Sequence, residues 1–266
     1  MLSLRKGLVL SIASGFGLAL IALLLPRIPQ PQAYHNFADH RGWLGVPNFG
    51  DVMSNLPFAI VGAWGLAWLL RSSSADFLDA RERWPYVMVF AGLLLTAFGS
   101  SYYHLAPDNA RLVWDRLPIT MVFTALVSAM IVERFSVRAG IWLMPFLVAL
   151  GMASVVQWYV SELHGAGDLR LYAAVQVYSA LVLLIALLFP PRYERGSDLA
   201  AVVGFYALAK VFETLDRPIL TLLGGAVSGH TLKHLAAATA GYWILRMLQK
   251  RVPIRTKLDQ PMTQVR

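Results

Sequence analysis

Eight apolar stretches run through this 266-residue chain, each long enough, or nearly so, to cross a hydrocarbon core, which takes about 20 helical residues. They fall at Gly7–Leu25, Asp51–Leu70, Pro85–His104, Val113–Val132, Gly140–Val160, Leu169–Phe189, Leu199–Leu215 and His230–Gln249. The seventh is the weakest, because Lys210, Glu213 and Asp216 interrupt it. With 57% hydrophobic and 14% charged residues, the chain reads as an all-α polytopic membrane protein rather than a soluble globule. The expected organisation is an N-terminal transmembrane anchor and extracytoplasmic loop over 1–50, a seven-helix core over 51–251, and a polar, disordered cytoplasmic tail over 252–266. The basic start before the first stretch also resembles a signal peptide. That run is long, however, and PRIPQPQAYH after it lacks a small-x-small cleavage site, so it reads as an uncleaved anchor.

Charge placement orients the stretches. Arg5 and Lys6 precede the first; Arg71, Arg81 and Arg83 lie between the second and third. Arg134 and Arg138 separate the fourth from the fifth, Arg192 and Arg195 the sixth from the seventh, and Arg246, Lys250, Arg251, Arg255 and Lys257 end the eighth and follow it. The intervening loops hold mainly single arginines. By the positive-inside rule the richer set is cytoplasmic, so both termini are inside and the crossings are even in number. The net charge of +8 is thus a matter of membrane orientation and not of nucleic-acid binding. An integral, multi-pass membrane location with both termini cytoplasmic is expected.

This topology brings distant polar residues to one depth. His104 ends the third stretch on the extracytoplasmic side, Asp115 begins the fourth there, and His230 and His234 begin the eighth; Asp51, Ser54 and Asn55 begin the second. Ionisable groups at membrane depth are costly and mark functional sites. His230 and His234, four residues apart, project from one helix face, as do Ser100 and His104. Without cysteine, any metal must use His, Asp, Glu or water. Three histidines with a fourth position open form the catalytic zinc arrangement, so His104, His230 and His234 are the candidate ligands. In HTLKH, Thr231 stands where the H-E-x-x-H zinc proteases carry Glu, so a general base must come from elsewhere, and Asp115 is nearest by depth.

Competing readings exist for several residues. His35, His40 and His164 read as interfacial polar anchors. Asp115 has Arg116 beside it as an ion-pair partner, and Ser100 has its own helix backbone as a hydrogen-bond acceptor. Lys210, Glu213 and Asp216, spaced by three, read as a structural ion network. The small residues of TAGYWIL and AFGSS read as close helix packing.

The ordered pattern Ser100-x3-His104, Asp115, His230-x3-His234, in SSYYHLAPDNARLVWDRLP and SGHTLKH, resembles the alkaline ceramidase family, as does the Ser54-Asn55 pair in NFGDVMSNLPF. That family lies in the CREST superfamily of membrane hydrolases, with the progestin and adipoQ receptors. The resemblance spans the second to eighth stretches. It implies a seven-helix bundle holding Zn²⁺ on three histidines beside a Ser and an Asp, with one extra N-terminal helix as in a bacterial-type branch. Animal members also bind calcium through an acidic stretch before the first core helix. The corresponding YHNFADHRGWLGVPNFGD offers only Asp39 and Asp51, with Asn48 where the family has a Glu. Calcium needs more oxygen ligands than that, so a calcium site is doubtful.

The implied activity is a zinc-dependent amide hydrolase acting on a ceramide-like lipid drawn from the bilayer. Asp115 would move the proton from water to the leaving amine, and Ser100 would donate a hydrogen bond to the water or the developing oxyanion. The alternative is a receptor-like or lipid-sensing bundle with a structural zinc. A third reading, a proton-relaying transporter, predicts polar residues along a whole helix face instead of at one depth.

Overall fold

The computed structural model describes residues 4–72 and 76–254, which are mostly helical and form no strands. The helices are α1 (Leu4–Leu24), α2 (Phe49–Met53), α3 (Leu56–Arg71), α4 (Arg83–Leu105), α5 (Asn109–Arg134), α6 (Val137–Leu163), α7 (Arg170–Leu187), α8 (Asp198–Thr214), α9 (Asp216–Leu222) and α10 (Gly229–Lys250). All eight apolar stretches are therefore helical. Among the described residues, six spans are long and apolar enough to cross a membrane: Leu4–Leu24, Phe49–Arg71, Ala80–Leu105, Asn109–Arg134, Val137–Leu163 and Arg170–Leu187. The chain is thus a helical, multi-pass type of membrane protein. The helices of the last two stretches, α8 and α10, fall short of that standard. α8 has only 17 residues, and α10 carries Lys233, Arg246 and Lys250 among its apolar positions. The two pack along each other.

Helix α1 stands outside the bundle. Its buried residues are Gly7, Ser11 and Ala22, while Val9, Phe16, Leu20 and Leu24 are exposed. Its partner is α7, where Gly15 sits against the Tyr178 ring. An apolar surface of this size suits lipid, not water. At the other extreme, α5 is the most buried of the six spans and packs against α4, α6 and α7.

Two glycines set the close approaches that bring the polar residues together. A Cβ at Gly99 on α4 would collide with the Trp114 carbonyl, so α4 and α5 touch one residue from Ser100 and one from Asp115. A Cβ at Gly229 would lie 2.7 Å from Asp216 Cα, so the start of α10 rests directly on the start of α9. Side-chain caps fix where the helices begin. Asp108 accepts from Arg111 N–H at 2.7 Å to start α5, and Ser228 accepts from Thr231 N–H at 3.0 Å to start α10.

The opposite end of the bundle is held by buried charges. Arg251 Nη1 meets Glu133 at 2.6 Å, Tyr86 donates to the same carboxylate at 2.8 Å, and the Arg251 guanidinium lies 3.9 Å over the Tyr193 ring. Tyr193 and Arg192 both bond Glu82. The chain after Arg251 continues this clamp, with Val252 and Ile254 hydrogen-bonded to Glu194 and Arg192. This corrects the expectation of a disordered tail for 252–254. Residues 255–266, including Arg255 and Lys257, lie outside the described residues.

Candidate metal centre

His104, in the last turn of α4, and His230 and His234, in the first two turns of α10, are 1%, 3% and 4% exposed. One nitrogen from each lies within 4.8 Å of the others, the one such group of His or acidic side chains among the described residues. His104 Nε2 and His230 Nε2 are 3.3 Å apart. A tetrahedral ion with Zn–N bonds of about 2.0–2.1 Å separates two ligand nitrogens by about 3.3–3.4 Å, so the pair is at ligand spacing.

The hydrogen bonds around His234 decide which of its nitrogens is free. Ser54 Oγ donates to the Asp51 carbonyl at 3.1 Å and lies 2.7 Å from His234 Nδ1. With its own proton committed, the hydroxyl accepts from Nδ1–H, and Nε2 keeps the lone pair a metal requires. Phe37, from the segment before α2, covers the group, its ring 4.7 Å from His104 and 4.3 Å from His230. Ser54→Ala is expected to weaken metal affinity by about 10- to 100-fold, measured by competition with a chelator of known affinity, while the helical content stays unchanged.

The segment between α1 and α2 is stapled over this end. Asn48 Nδ2 donates to the His104 carbonyl at 2.8 Å, satisfying a helix C-terminus. His35 bonds Tyr103 Oη and Asn109, whereas His40 and His164 make exposed local contacts. Asp216 is placed differently from the sequence expectation of an ion network with Lys210 and Glu213. Its carboxylate accepts the N–H groups of His230 and Ala38, both at 2.8 Å, and so holds the α10 N-terminus to the overlying segment. Glu213 pairs instead with Lys210 and with Lys233, the latter at 2.6 Å. Asp39 is taken by Arg41 at 2.6 and 2.8 Å, and those bonds hold its carboxyl below the usual carboxylate range. Asp51 accepts from Thr231 at 2.9 Å and Ser228 at 3.3 Å.

Beside the histidines a cavity of about 300 Å³ opens among α3, α4, α5, α7, α8 and α10. Ser100, Asp115 and His234 line its polar end, and Leu93, Leu126, Leu183 and Ile244 line the rest. Ile244 is ten residues beyond His234, so the apolar part extends about 15 Å along α10. Ser100 and Asp115 face the cavity from neighbouring helices, one on α4 and the other on α5. Arg116 does not serve Asp115 as an ion-pair partner: it turns to Gln30 at 2.7 Å and stacks on Trp158. The structure thus converges the three histidines and puts Asp115 and Ser100 on the wall of the adjoining cavity. The sequence reading did not foresee Phe37, Lys233 or the Ser54–His234 bond, which join residues up to 180 positions apart and leave no local signal.

No protein-family model matches this chain, and no curated protein matches it. Fold and site together define a multi-pass helical membrane protein with a buried three-histidine group able to hold a metal ion.

Proposed function

We propose that the chain is an integral-membrane, zinc-dependent amide hydrolase that cleaves the N-acyl bond of ceramide-like lipids, related to the alkaline ceramidases. What carries this reading is one juxtaposition: the three histidines meet at the polar end of an elongated apolar cavity whose wall there holds Asp115 and Ser100. A structural zinc alone has no need of a carboxylate and a hydroxyl beside an apolar cavity.

An ion on His104, His230 and His234 would supply Lewis acidity, polarising a carbonyl and lowering the pKa of water towards about 7. The chain's own residues do the rest. The apolar cavity takes the acyl chain and sets the amide against His234 and Asp115. Asp115 accepts a proton as the water oxygen bonds to the acyl carbon. The C–N bond then breaks, its electron pair staying on nitrogen, and Asp115 returns the proton there. Ser100 donates to the oxyanion as charge develops. The products are a fatty acid and a free amine. Turnover of an N-acyl lipid by purified protein, compared with His230→Ala, tests the reading; equal turnover in the two overturns it.

The same proposal includes eight crossings. A seven-helix CREST-like bundle is formed by α2–α3, α4, α5, α6, α7, α8 and α10, with α1 added, both termini cytoplasmic and the site extracytoplasmic, in a bacterial inner membrane. A reporter fused after Arg251 should then report the cytoplasm, and a periplasmic signal would overturn this topology.

A further inference from the structure

Arg116 is a buried cation that forms no ion pair with a carboxylate among the described residues. The residue is 4% exposed. Among the described residues its one hydrogen-bond partner is Gln30 Oε1, met by Nη2 at 2.7 Å, and Nη1 is buried with no partner. Instead of a carboxylate, the guanidinium has aromatic faces: Trp158 at 4.2 Å, Tyr172 at 4.5 Å and Tyr34 at 5.6 Å. Cation–π contact offsets part of the cost of burying the charge. It does not use the free N–H groups, and a buried donor left unpaired calls for an explanation.

The cavity supplies one. Arg116, Tyr34 and Tyr172 line it together with Asp115. Its wall holds three cationic side chains, Arg116, Lys210 and Lys233, against two carboxylates, Asp115 and Glu213, an excess of one positive charge. Glu213 is engaged by both lysines, whereas Arg116 and Asp115 form no ion pair with each other or with another described residue. The aromatic stack holds the guanidinium plane rigid, and a rigid planar fork is suited to an oxyanion.

We propose that Arg116 forms a subsite for an anionic oxygen group on the amine side of the substrate. The cleaved lipid is then a ceramide-like N-acyl amine whose amine part carries a carboxylate or phosphate close to the amide in place of ceramide's uncharged hydroxyl. The placement rests on the amidase reading, which puts the acyl chain in the apolar part and the scissile bond at Asp115. Arg116, next to Asp115 at that same end, faces what remains of the molecule. Tyr34 and Tyr172 close the subsite as aromatic walls. Arg116 is a specificity residue here, and proton transfer stays with Asp115.

The test uses full-length protein in detergent with three amides of the same acyl chain: N-oleoylglycine, N-oleoylethanolamine and the phosphate ester of N-oleoylethanolamine. One charge-assisted pair predicts a kcat/KM for an anionic amide about 10- to 100-fold above that of the neutral one. The carboxylate and phosphate arms distinguish the two sources of the oxyanion. Arg116→Gln should bring the ratio of anionic to neutral amide to near unity, chiefly by raising KM for the anionic amides. Gln30→Ala, which cuts the tether but keeps the guanidinium, should retain the preference. A wild type without preference, or a preference that survives Arg116→Gln, overturns the proposal. Should Arg116→Gln fail to fold, Arg116→Lys decides, since it keeps the charge but loses the fork: the preference falls, or the proposal does. Competition binding of the same amides reads the subsite even if none is hydrolysed. In that case the amidase reading fails by itself, and tighter binding of the anionic amides, lost in the variants, still supports the subsite.

Discussion

His230→Ala is expected to lose the metal and the activity together. Elemental analysis of the purified wild type should give about one zinc per chain, and the variant close to none, because two imidazoles are too few for a tight site in a chain without cysteine. Amide turnover should fall by about 10³-fold or more, beyond the 10- to 100-fold typical of losing an outer-shell partner. His104→Ala should behave alike, although it lies 126 residues away on a different helix. That agreement matters more than either result alone. A reading in which His230 merely packs against Phe37 predicts a stability change with no metal deficit. Circular dichroism on the same samples separates the two, since the substitution removes a ring at a helix start and leaves the Ser228 cap of α10 in place.

Asp115→Asn should produce the opposite pattern, with metal retained and chemistry lost. The residue is 8% exposed, lines the cavity and is not part of the converging histidine group. Asn is close in size and keeps an acceptor for Ser100, so the local packing survives. It cannot accept a proton at neutral pH, and removing a general base typically costs about 10²- to 10⁴-fold in rate. The fall should appear in kcat with little change in KM, because the carboxylate acts on the proton in flight and not on the acyl chain. A variant with full zinc and full turnover would move the base elsewhere in the cavity. Glu213 is then the next candidate by position, although it is already held by two lysines.

Read from its residues alone, the chain shows where its helices are. Apolar runs of spanning length leave the backbone no alternative to helix, because only internal hydrogen bonds satisfy it in hydrocarbon. Alternation of basic loops then carries His104, Asp115, His230 and His234 to one end, and the four-residue spacing puts two imidazoles on one face. The helices and the meeting of the three histidines agree with that reading because they depend on helical period and on hydrophobic length, both local properties.

The partners of individual charges were not readable in that way. Arg116 adjoins Asp115 in sequence, yet consecutive helical residues point about 100° apart, and the guanidinium faces Gln30 and three aromatic rings from other elements. Asp216 has the right spacing to join Lys210 and Glu213, but α8 ends at Thr214, so the carboxylate turns to the α10 N-terminus. Glu133 and Arg251 meet 118 residues apart at the opposite end of the bundle. A buried charge takes whatever partner the folded neighbours present, and which neighbours those are depends on helix rotation and on close approaches such as Gly99 against Trp114. Helix positions and the level of the histidines followed from sequence because they are set by period and hydrophobic length. The tautomer-fixing Ser54, the roof of Phe37 and the turn of the Arg116 guanidinium to Gln30 and aromatic rings were decided by tertiary packing, which no local spacing encodes.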